Sequence, residues 1–306
     1  MNARAESIPP ATSPVTDLRL DLGTDEVDAH AQLVMARVAR TFDLASRFLP
    51  GPVRRDVRRL YLVLRTLDDL VDHGDPRADA AITTVEAWAA GAGVSGPLSA
   101  ILDDLGARHP ALPRDAITEF AAGMRADLTG PAHRTEADLS RYCDQVAGTV
   151  GRLMASILGV RPGREAEADA AARAMGMAMQ RTNILRDLVE DAGRGRVYLP
   201  DDAFHDVGLA AEHGEGLLAD LASWPAETRA AFITRQSARA EEDYAVGLAG
   251  TRLLARGRRA VCAAGLMYRE ILRQIEREDF GARRSRVVVS RGRKLVLVAR
   301  AVVLAR

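Results

Sequence analysis

The feature that most constrains this chain is a row of oxygen-bearing side chains within residues 180–200, QRTNILRDLVEDAGRGRVYLP. The row consists of Gln180, Asn183, Asp187 and Asp191. Intervals of three and four residues place all of them on one face of an α-helix, over about 16 Å at ~1.5 Å per residue. Oxygen ligands in a rigid row suit a hard cation such as Mg²⁺ that is shared with a substrate phosphate. The stretch therefore predicts a helix with a metal-binding face, from which Arg181 and Arg186 are expected to point away.

A second acidic row occurs within residues 60–72, LYLVLRTLDDLVD. Asp68 and Asp72 are four residues apart, and Tyr61 and Arg65 precede them at helical spacing. Carboxylates on the apolar side of a helix are costly unless positive charge neutralises them. We expect the two rows to face each other around a shared cluster of Mg²⁺ and diphosphate, where ionisation of a diphosphate leaves a carbocation. The alternative for either row alone is a solvated helix face with surface ion pairs.

The remaining sequence predicts a single all-α domain. Alanine is abundant, β-branched runs are rare, and turn signals separate successive helical patterns. Residues 1–25 carry no period and are expected to be a flexible segment before a domain spanning 26–306. The expected helices cover residues 28–47, 53–73, 77–91, 96–106, 113–127, 136–159, 164–192, 201–222, 225–250, 253–276 and 291–305. The run Val287-Val288-Val289 is the one strand-like stretch in the sequence, and it is short.

Composition excludes several classes of protein. The 306 residues have a formal net charge of zero, which gives no argument for nucleic-acid binding. Two cysteines, Cys143 and Cys262, make no disulfide framework. We find no signal peptide and no apolar run approaching the ~18–20 residues of a membrane span. The chain is therefore expected to be cytoplasmic.

Four stretches together make the sequence similar to a known family. They are Arg40-Thr41-Phe42 with the residues after it, YLVLRTLDDLVD, YCDQVAGTVG at residues 142–151, and QRTNILRDLVEDAGRGRVYLP. In this order they resemble the squalene/phytoene synthase family, the head-to-head prenyltransferases of the all-α isoprenoid synthase fold. The resemblance extends from about Arg37 to Leu297 and is closest to bacterial phytoene synthases. It implies a helical bundle around a central apolar cavity.

The resemblance also implies roles for particular residues. Two or three Mg²⁺ ions would be bound by Asp68, Asp72, Asn183, Asp187 and Asp191. Substrate contacts would come from Thr41, Arg65, Gln180, Arg196 and Arg286. Catalytic positions near the diphosphate or the reacting carbons would be Tyr61, Arg65, Tyr142 and Tyr268. The substrate would be a prenyl diphosphate.

Several products remain open at this stage. The favoured reaction joins two geranylgeranyl diphosphates to phytoene through a cyclopropyl diphosphate. The alternatives are squalene or dehydrosqualene synthesis from farnesyl diphosphate, of which only the squalene type needs NADPH, and cyclisation of a single prenyl diphosphate. Cyclases steer cations with aromatic walls, and aromatic residues make up only 4% of this chain. A non-catalytic helical binding protein is the remaining alternative, and both intact acidic rows argue against it.

The last predicted helix has two interpretations. Arg293, Lys294 and Arg300 alternate there with leucine and valine. Such a helix can lie peripherally on an anionic membrane surface. It can equally pack its apolar face on the protein core.

Overall fold

The structure is all-helical where it is described, which confirms the predicted fold class. The computed structural model describes residues 24–130, 133–210, 214–281 and 287–304. The α-helices in chain order are α1 (Thr24–Val38), α2 (Arg40–Ser46), α3 (Gly51–Asp72), α4 (Ala78–Ala89), α5 (Pro97–Arg108), α6 (Arg114–Thr129), α7 (Glu136–Cys143), α8 (Thr149–Leu158), α9 (Glu165–Ala192), α10 (Asp201–His205), α11 (Gly214–Ala219), α12 (Ala226–Gly250), α13 (Arg258–Arg277) and α14 (Arg291–Leu304). Within those ranges the only β-type pairing is an isolated bridge between Val160 and Leu254.

The amino-terminal boundaries differ from the prediction. Residues 1–23 of the expected flexible segment lie outside the described residues, whereas Thr24 and Asp25 already belong to α1. The single helix expected over 28–47 is divided at Ala39, whose backbone has φ −123° and ψ 49°. This bend redirects α2 so that it packs against α13. Phe42 of α2 thereby reaches Tyr268 of α13, with ring centroids 5.2 Å apart.

The helix expected over 136–159 contains a π-helical turn, Asp144–Gly148, between α7 and α8. A side chain at residue 148 would overlap the Asp144 carboxylate. Since Gly148 has no side chain, this carboxylate can fold over the turn, where it accepts a 2.9 Å hydrogen bond from Arg173 Nε. Periodicity alone cannot show the extra residue of a π turn, although such turns often occur at functional sites.

Two further segments are less regular than expected. Residues 201–222 form α10, α11 and the start of a 3₁₀ turn, Leu221–Ser223, rather than one helix. The valine run forms no strand in the described structure; Val287 and Val289 are buried and Val288 is exposed.

Helix α9 is the centre of the bundle, and it packs closely against α8, α12 and α13. Glycines make these approaches close. A methyl group at Gly176 would overlap the Ala147 carbonyl oxygen, and one at Gly247 would stand 2.8 Å from the Met175 Cα. The π turn before α8 and helix α12 therefore lie very close to the backbone of α9.

Helix α14 covers the outside of α13 and α2. Leu297 and Ala301 are buried in a cluster with Ala45, Cys262 and Met267. Among the described residues, no helix has the length and apolarity needed to cross a membrane.

The contact at Gly176 yields a first prediction. Gly176→Ala should lower the free energy of unfolding by about 1–3 kcal/mol, because the new methyl group must displace backbone rather than a side chain. The matched control is Gly292→Ala on α14, where a methyl group would meet no atom within 4 Å. This control should be neutral or slightly stabilising. Urea unfolding monitored by circular dichroism measures both, and equal stability of the two variants would contradict the close packing.

Candidate active site

A large apolar cavity lies between α2, α3, α8, α9, α12 and α13. It encloses about 1300 Å³, its open mouth included. The lining is almost entirely aliphatic and aromatic, with Tyr61 and Tyr268 among the larger side chains. Gln180 and Asn183 of the second oxygen row also line it. The predicted central cavity is therefore present, and it adjoins the predicted polar site.

The first acidic row lies on α3, next to Tyr61 and Arg65. Arg65 Nη1 donates a 2.6 Å hydrogen bond to Asp68, and its other terminal nitrogen pairs with Asp69. The Asp68 side chain is 39% exposed, but the protein around it still removes much of the water from its carboxylate. Burial raises the pKa of Asp68 to about 7, with Arg65 opposing the shift and Asp72 adding to it. Arg65 therefore does not compensate fully for the burial of the Asp68 carboxylate and for the negative charge of Asp72.

The second row lies along α9 as predicted. Asn183 Nδ2 donates to Gln180 Oε1 at 3.4 Å, while Asn183 Oδ1 is buried and makes no hydrogen bond among the described residues. Burial raises the pKa of Asp191 to about 6, and the negative charge of Asp187 adds to the shift. An amide oxygen without a donor, beside a carboxylate whose ionised form burial disfavours, suits the binding of a cation.

The two rows lie close enough to interact across the cleft. Asp72 on α3 contributes to the raised pKa of Asp191 on α9. The loop after α9 reaches across as well, because Arg196 Nη1 donates a 2.6 Å hydrogen bond to the Asp72 carboxylate. Its backbone is anchored at the other row, since the Arg194 and Arg196 amides both donate to the Asp191 carbonyl at 2.9 Å. Arg196 thus connects the two rows.

Carboxylate and amide oxygens are suitable ligands for Mg²⁺, but side chains of the described residues alone do not complete the coordination of one ion. In the described ranges, no three acidic, histidine or cysteine side chains converge closely enough to surround one ion. Mg²⁺ commonly takes one or two carboxylates and completes its shell with waters and substrate phosphate. Opposed rows with an unpartnered Asn183 oxygen match that mode of binding, in which diphosphate oxygens would supply the remaining ligands.

The expectation that Arg186 points away from the row is wrong. Its Nε donates a 2.9 Å hydrogen bond to Asp187 Oδ1, and its guanidinium also interacts with Tyr268. The long side chain folds back to the adjacent carboxylate, which the angular position of its Cα on the helix does not show. Arg181 does point away, because it pairs with Glu136 at 2.6 Å and is only 6% exposed.

Sequence reasoning missed Asp127, which lies at the end of α6. The Tyr142 hydroxyl donates to it at 3.0 Å, and its other oxygen is buried without a hydrogen bond in the described structure. Burial raises the pKa of Asp127 to about 6, and Asp72 adds to the shift. The only signal in the sequence was the motif around Tyr142, because the aspartate itself belongs to no recognisable pattern.

The tyrosines expected at the site lie in two places. Tyr61 and Tyr268 line the cavity. Tyr142 is not among the lining residues; it stacks on Tyr198 with centroids 5.4 Å apart, beside Asp127. Tyr198, a second residue that sequence reasoning missed, also interacts with Arg196. Tyr142 therefore supports the acidic rim rather than the apolar wall.

The remaining predicted substrate contacts lie at α2 and beyond α13. Thr41 stands beside cavity-lining Phe42, and Lys294 of α14 lies 3.5 Å from the Thr41 hydroxyl. Burial lowers the pKa of Lys294, and the charge of Arg40 adds to the effect. Arg286 lies outside the described residues, so its predicted role stays a prediction.

With this geometry in view, comparison with known proteins identifies the family. Residues 35–293 match the family described as squalene/phytoene synthase. The chain belongs to the squalene/phytoene synthase family. Its match includes both acidic rows and the cavity-forming helices.

Relatives within this family carry the name phytoene synthase. That of Thermus thermophilus is 39% identical over 256 residues, covering 81% of this chain and 83% of the relative. The 15-cis-phytoene synthase of Synechococcus elongatus is 33% identical, covering 86% and 88%. A chloroplastic phytoene synthase of Narcissus pseudonarcissus is 34% identical over 86% of this chain, which spans 62% of that longer protein.

Solved structures of the family share the fold. A ligand-bound dehydrosqualene synthase superimposes with a TM-score of 0.81 at 24% identity, over 91% of this chain and 96% of the other. A squalene synthase from Alicyclobacillus acidocaldarius gives 0.68 at 24% identity, over 82% and 94%. These likenesses confirm the isoprenoid synthase fold.

The raised pKa of Asp68 predicts a pH-dependent cost to stability. Its carboxyl binds a proton more tightly when folded, so this group favours folding below its ordinary pKa, near ~4, and the benefit is lost as the pH rises through about 7. In metal-free protein, Asp68→Asn should therefore raise the free energy of unfolding by roughly 1 kcal/mol at pH 8 and change it little at pH 4.

Denaturant unfolding at the two pH values measures this effect. The control is Asp79→Asn, since Asp79 is a 73% exposed carboxylate that also pairs with an arginine, Arg125. It should show no gain at pH 8. An Asp68→Asn protein that is less stable than wild type at pH 8 would contradict the charge imbalance at α3.

Proposed function

We propose that this protein condenses two prenyl diphosphates head to head, with Mg²⁺, and that it forms phytoene from two molecules of geranylgeranyl diphosphate through a cyclopropyl diphosphate. The observation that carries the proposal is an apolar cavity opening beside two facing acidic rows. A prenyl diphosphate has the matching polarity, with a long hydrocarbon chain and one multiply charged end. The names of the relatives support phytoene as the product.

The polar end of the substrate would bind between α3 and α9. Asp68 and Asp72 from one side, and Asn183, Asp187 and Asp191 from the other, would hold Mg²⁺. When bound, Mg²⁺ would neutralise the negative charge that develops as the leaving group departs. Arg65 and Arg196 lie at the same rim. Each can exchange a carboxylate partner for a diphosphate oxygen, to which guanidinium groups donate strong hydrogen bonds.

The chain's own residues would bring the two hydrocarbon chains together and keep water out. Loss of diphosphate from one substrate leaves an allylic cation. The double bond of the second substrate attacks this cation, and loss of a proton closes the cyclopropane ring. The cyclopropyl diphosphate then loses its own diphosphate and rearranges to a C1–C1′ linked cation, which loses a second proton to give the hydrocarbon. Tyr61 and Tyr268 border the cavity near the polar rim, where the reacting carbons would lie. An aliphatic lining protects the cations from capture by water.

Farnesyl diphosphate is the substrate in the second candidate reaction. Solved structures that share this fold include a dehydrosqualene synthase and a squalene synthase. Their likeness, at 24% identity, shows the fold and leaves the substrate open. A squalene-type reaction would need NADPH as a hydride source, whereas phytoene or dehydrosqualene synthesis would not.

Replacing one carboxylate in each row tests the proposed site. Asp68→Asn and Asp187→Asn should each reduce Mg²⁺-dependent diphosphate release from geranylgeranyl diphosphate at least about a hundredfold, because each removes a ligand from the charge-stabilising cluster. Asp79→Asn on α4 is the control and should leave the rate unchanged. Full activity in both site variants would contradict the proposed site.

The product is tested separately. Lipid extracts of incubations with farnesyl or geranylgeranyl diphosphate, with and without NADPH, are analysed by mass spectrometry. Phytoene from geranylgeranyl diphosphate without NADPH is expected. Squalene formed only in the presence of NADPH would replace the proposed reaction with the alternative.

We further propose that α14 holds the protein peripherally on an anionic membrane. Its outer face exposes Leu295, Val296, Val303 and Leu304, each at 56% or more. The helix, RGRKLVLVARAVVL, carries four basic residues and no acidic one. Exposed apolar side chains beside positive charge favour an interface of anionic lipid. A phytoene-forming enzyme would benefit, since its product is insoluble in water.

Vesicle sedimentation tests the membrane contact. Changing the four exposed apolar residues of α14 to serine should weaken binding to phosphatidylglycerol vesicles at least about tenfold, because apolar burial and charge act together. Val246→Ser is the control, since Val246 is 52% exposed on α12. Binding of the wild type should also weaken as salt is added. Equal binding by wild type and the serine variant would rule out the α14 contact.

A further inference from the structure

The cavity is a tunnel that follows α9 away from the acidic rows. Residues of α9 line it from Asn183 and Gln180 at the rim to Ala168 at the other end. Gln180 and Ala168 are twelve residues apart, which is about 18 Å along the helix at ~1.5 Å per residue. The depth of the apolar cavity can therefore be measured along α9.

Three leucines form the floor of the tunnel at its deep end: Leu49, Leu158 and Leu254. Two of them meet at Gly257, where an added methyl group would stand 2.7 Å from Leu49 and 2.8 Å from Leu158. Backbone hydrogen bonds fix the surroundings, since Arg161 N donates to Leu253 O at 2.9 Å and Ala255 N donates to Gly159 O at 2.8 Å. The three leucines therefore cannot easily move to make room for a longer ligand.

Just above the floor, α9 presents only methyl groups to the cavity. They belong to Ala168, Ala171 and Ala172. Ala172 is the most open of the three, since Ala168 and Ala171 are buried and Ala172 is only partly so. The space at this level exists because no larger side chain fills it.

The length of the tunnel distinguishes the two candidate substrates. An extended carbon chain advances ~1.2 Å per bond, so a farnesyl chain spans about 13 Å and a geranylgeranyl chain about 18 Å. Measured from Gln180, the farnesyl chain would end near Ala172, about 12 Å along the helix. The additional isoprene unit of the geranylgeranyl chain would lie between Ala172 and Ala168, directly above the floor.

We propose that Ala172 is a specificity-determining residue, and that its small side chain together with the leucine floor selects the geranylgeranyl chain. This inference rests on the proposed prenyl diphosphate reaction and adds which residues determine the length of prenyl chain that the cavity accepts. Side chains on a helix lean toward its amino terminus. A larger residue at 172 would therefore extend toward Ala168 and fill the space of the last isoprene unit, leaving the shorter chain room.

Ala172→Phe tests this role, with product masses and kcat/KM measured separately for farnesyl and geranylgeranyl diphosphate. Wild type should prefer the geranylgeranyl substrate. In Ala172→Phe the ratio of the two kcat/KM values should shift toward farnesyl at least about a hundredfold, while farnesyl turnover stays within about tenfold of wild type. Ala170→Phe is the control, because Ala170 lies on the exposed face of the same helix and should not change the ratio.

The outcomes separate this inference from the function on which it rests. Absence of product from either substrate in wild type would overturn the proposed reaction. A wild type that prefers farnesyl diphosphate would overturn both the role of Ala172 and the proposed geranylgeranyl substrate. A folded Ala172→Phe protein with an unchanged ratio would overturn the role of Ala172 alone. Circular dichroism establishes folding. Should Ala172→Phe not fold, Ala172→Leu carries the same test with a smaller expected shift in the same direction.

Discussion

Repulsion between carboxylates on α3 and α9 is the constraint around which the rest of the structure is arranged. Three arginines moderate it: Arg65 at Asp68, Arg186 at Asp187 and Arg196 at Asp72. They do not fully offset it, because burial, to which the neighbouring carboxylates add, still raises the pKa values of Asp68 and Asp191 to about 7 and about 6. Interactions elsewhere in the fold must therefore hold the two helices in place, as is usual when a functional site is locally unfavourable.

Close packing around α9 supplies that support. Gly176 lies against the Ala147 carbonyl, and Gly247 lies against Met175, so the π turn before α8 and helix α12 both pack closely on α9. A central helix held by backbone contacts cannot easily rotate its acidic face away from α3. The same small residues leave the cavity unfilled, because positions such as Ala172 offer no side chain long enough to reach the opposite wall. Rigid packing and an open tunnel therefore have a common origin in glycine and alanine.

Much of this arrangement follows from the sequence, and the failures have identifiable causes. Helical spacing predicts both rows, and two rows in one chain predict that they meet. The direction of Arg186 is wrong in the prediction because a flexible side chain reaches beyond the position of its Cα. Asp127 carries no pattern, since only the contact between the end of α6 and Tyr142 of α7 gives it a partner. The bend at Ala39 and the π turn depend on packing partners distant in sequence, which periodicity does not record.

The two ends of the tunnel are built from different kinds of interaction, and the difference suits the proposed chemistry. At the floor, backbone hydrogen bonds and buried leucines fix the shape, so the hydrocarbon end of a ligand meets a surface that does not adapt. At the mouth, the bonds are ion pairs such as Arg196 with Asp72. A cation can take the place of the arginine beside the carboxylate, and a diphosphate can take the place of the carboxylate beside the arginine, so each charged group keeps a partner of opposite sign. An enzyme that binds and releases a charged group must also keep a long hydrocarbon chain in place. A rigid floor and a mouth with replaceable ion pairs together meet both requirements.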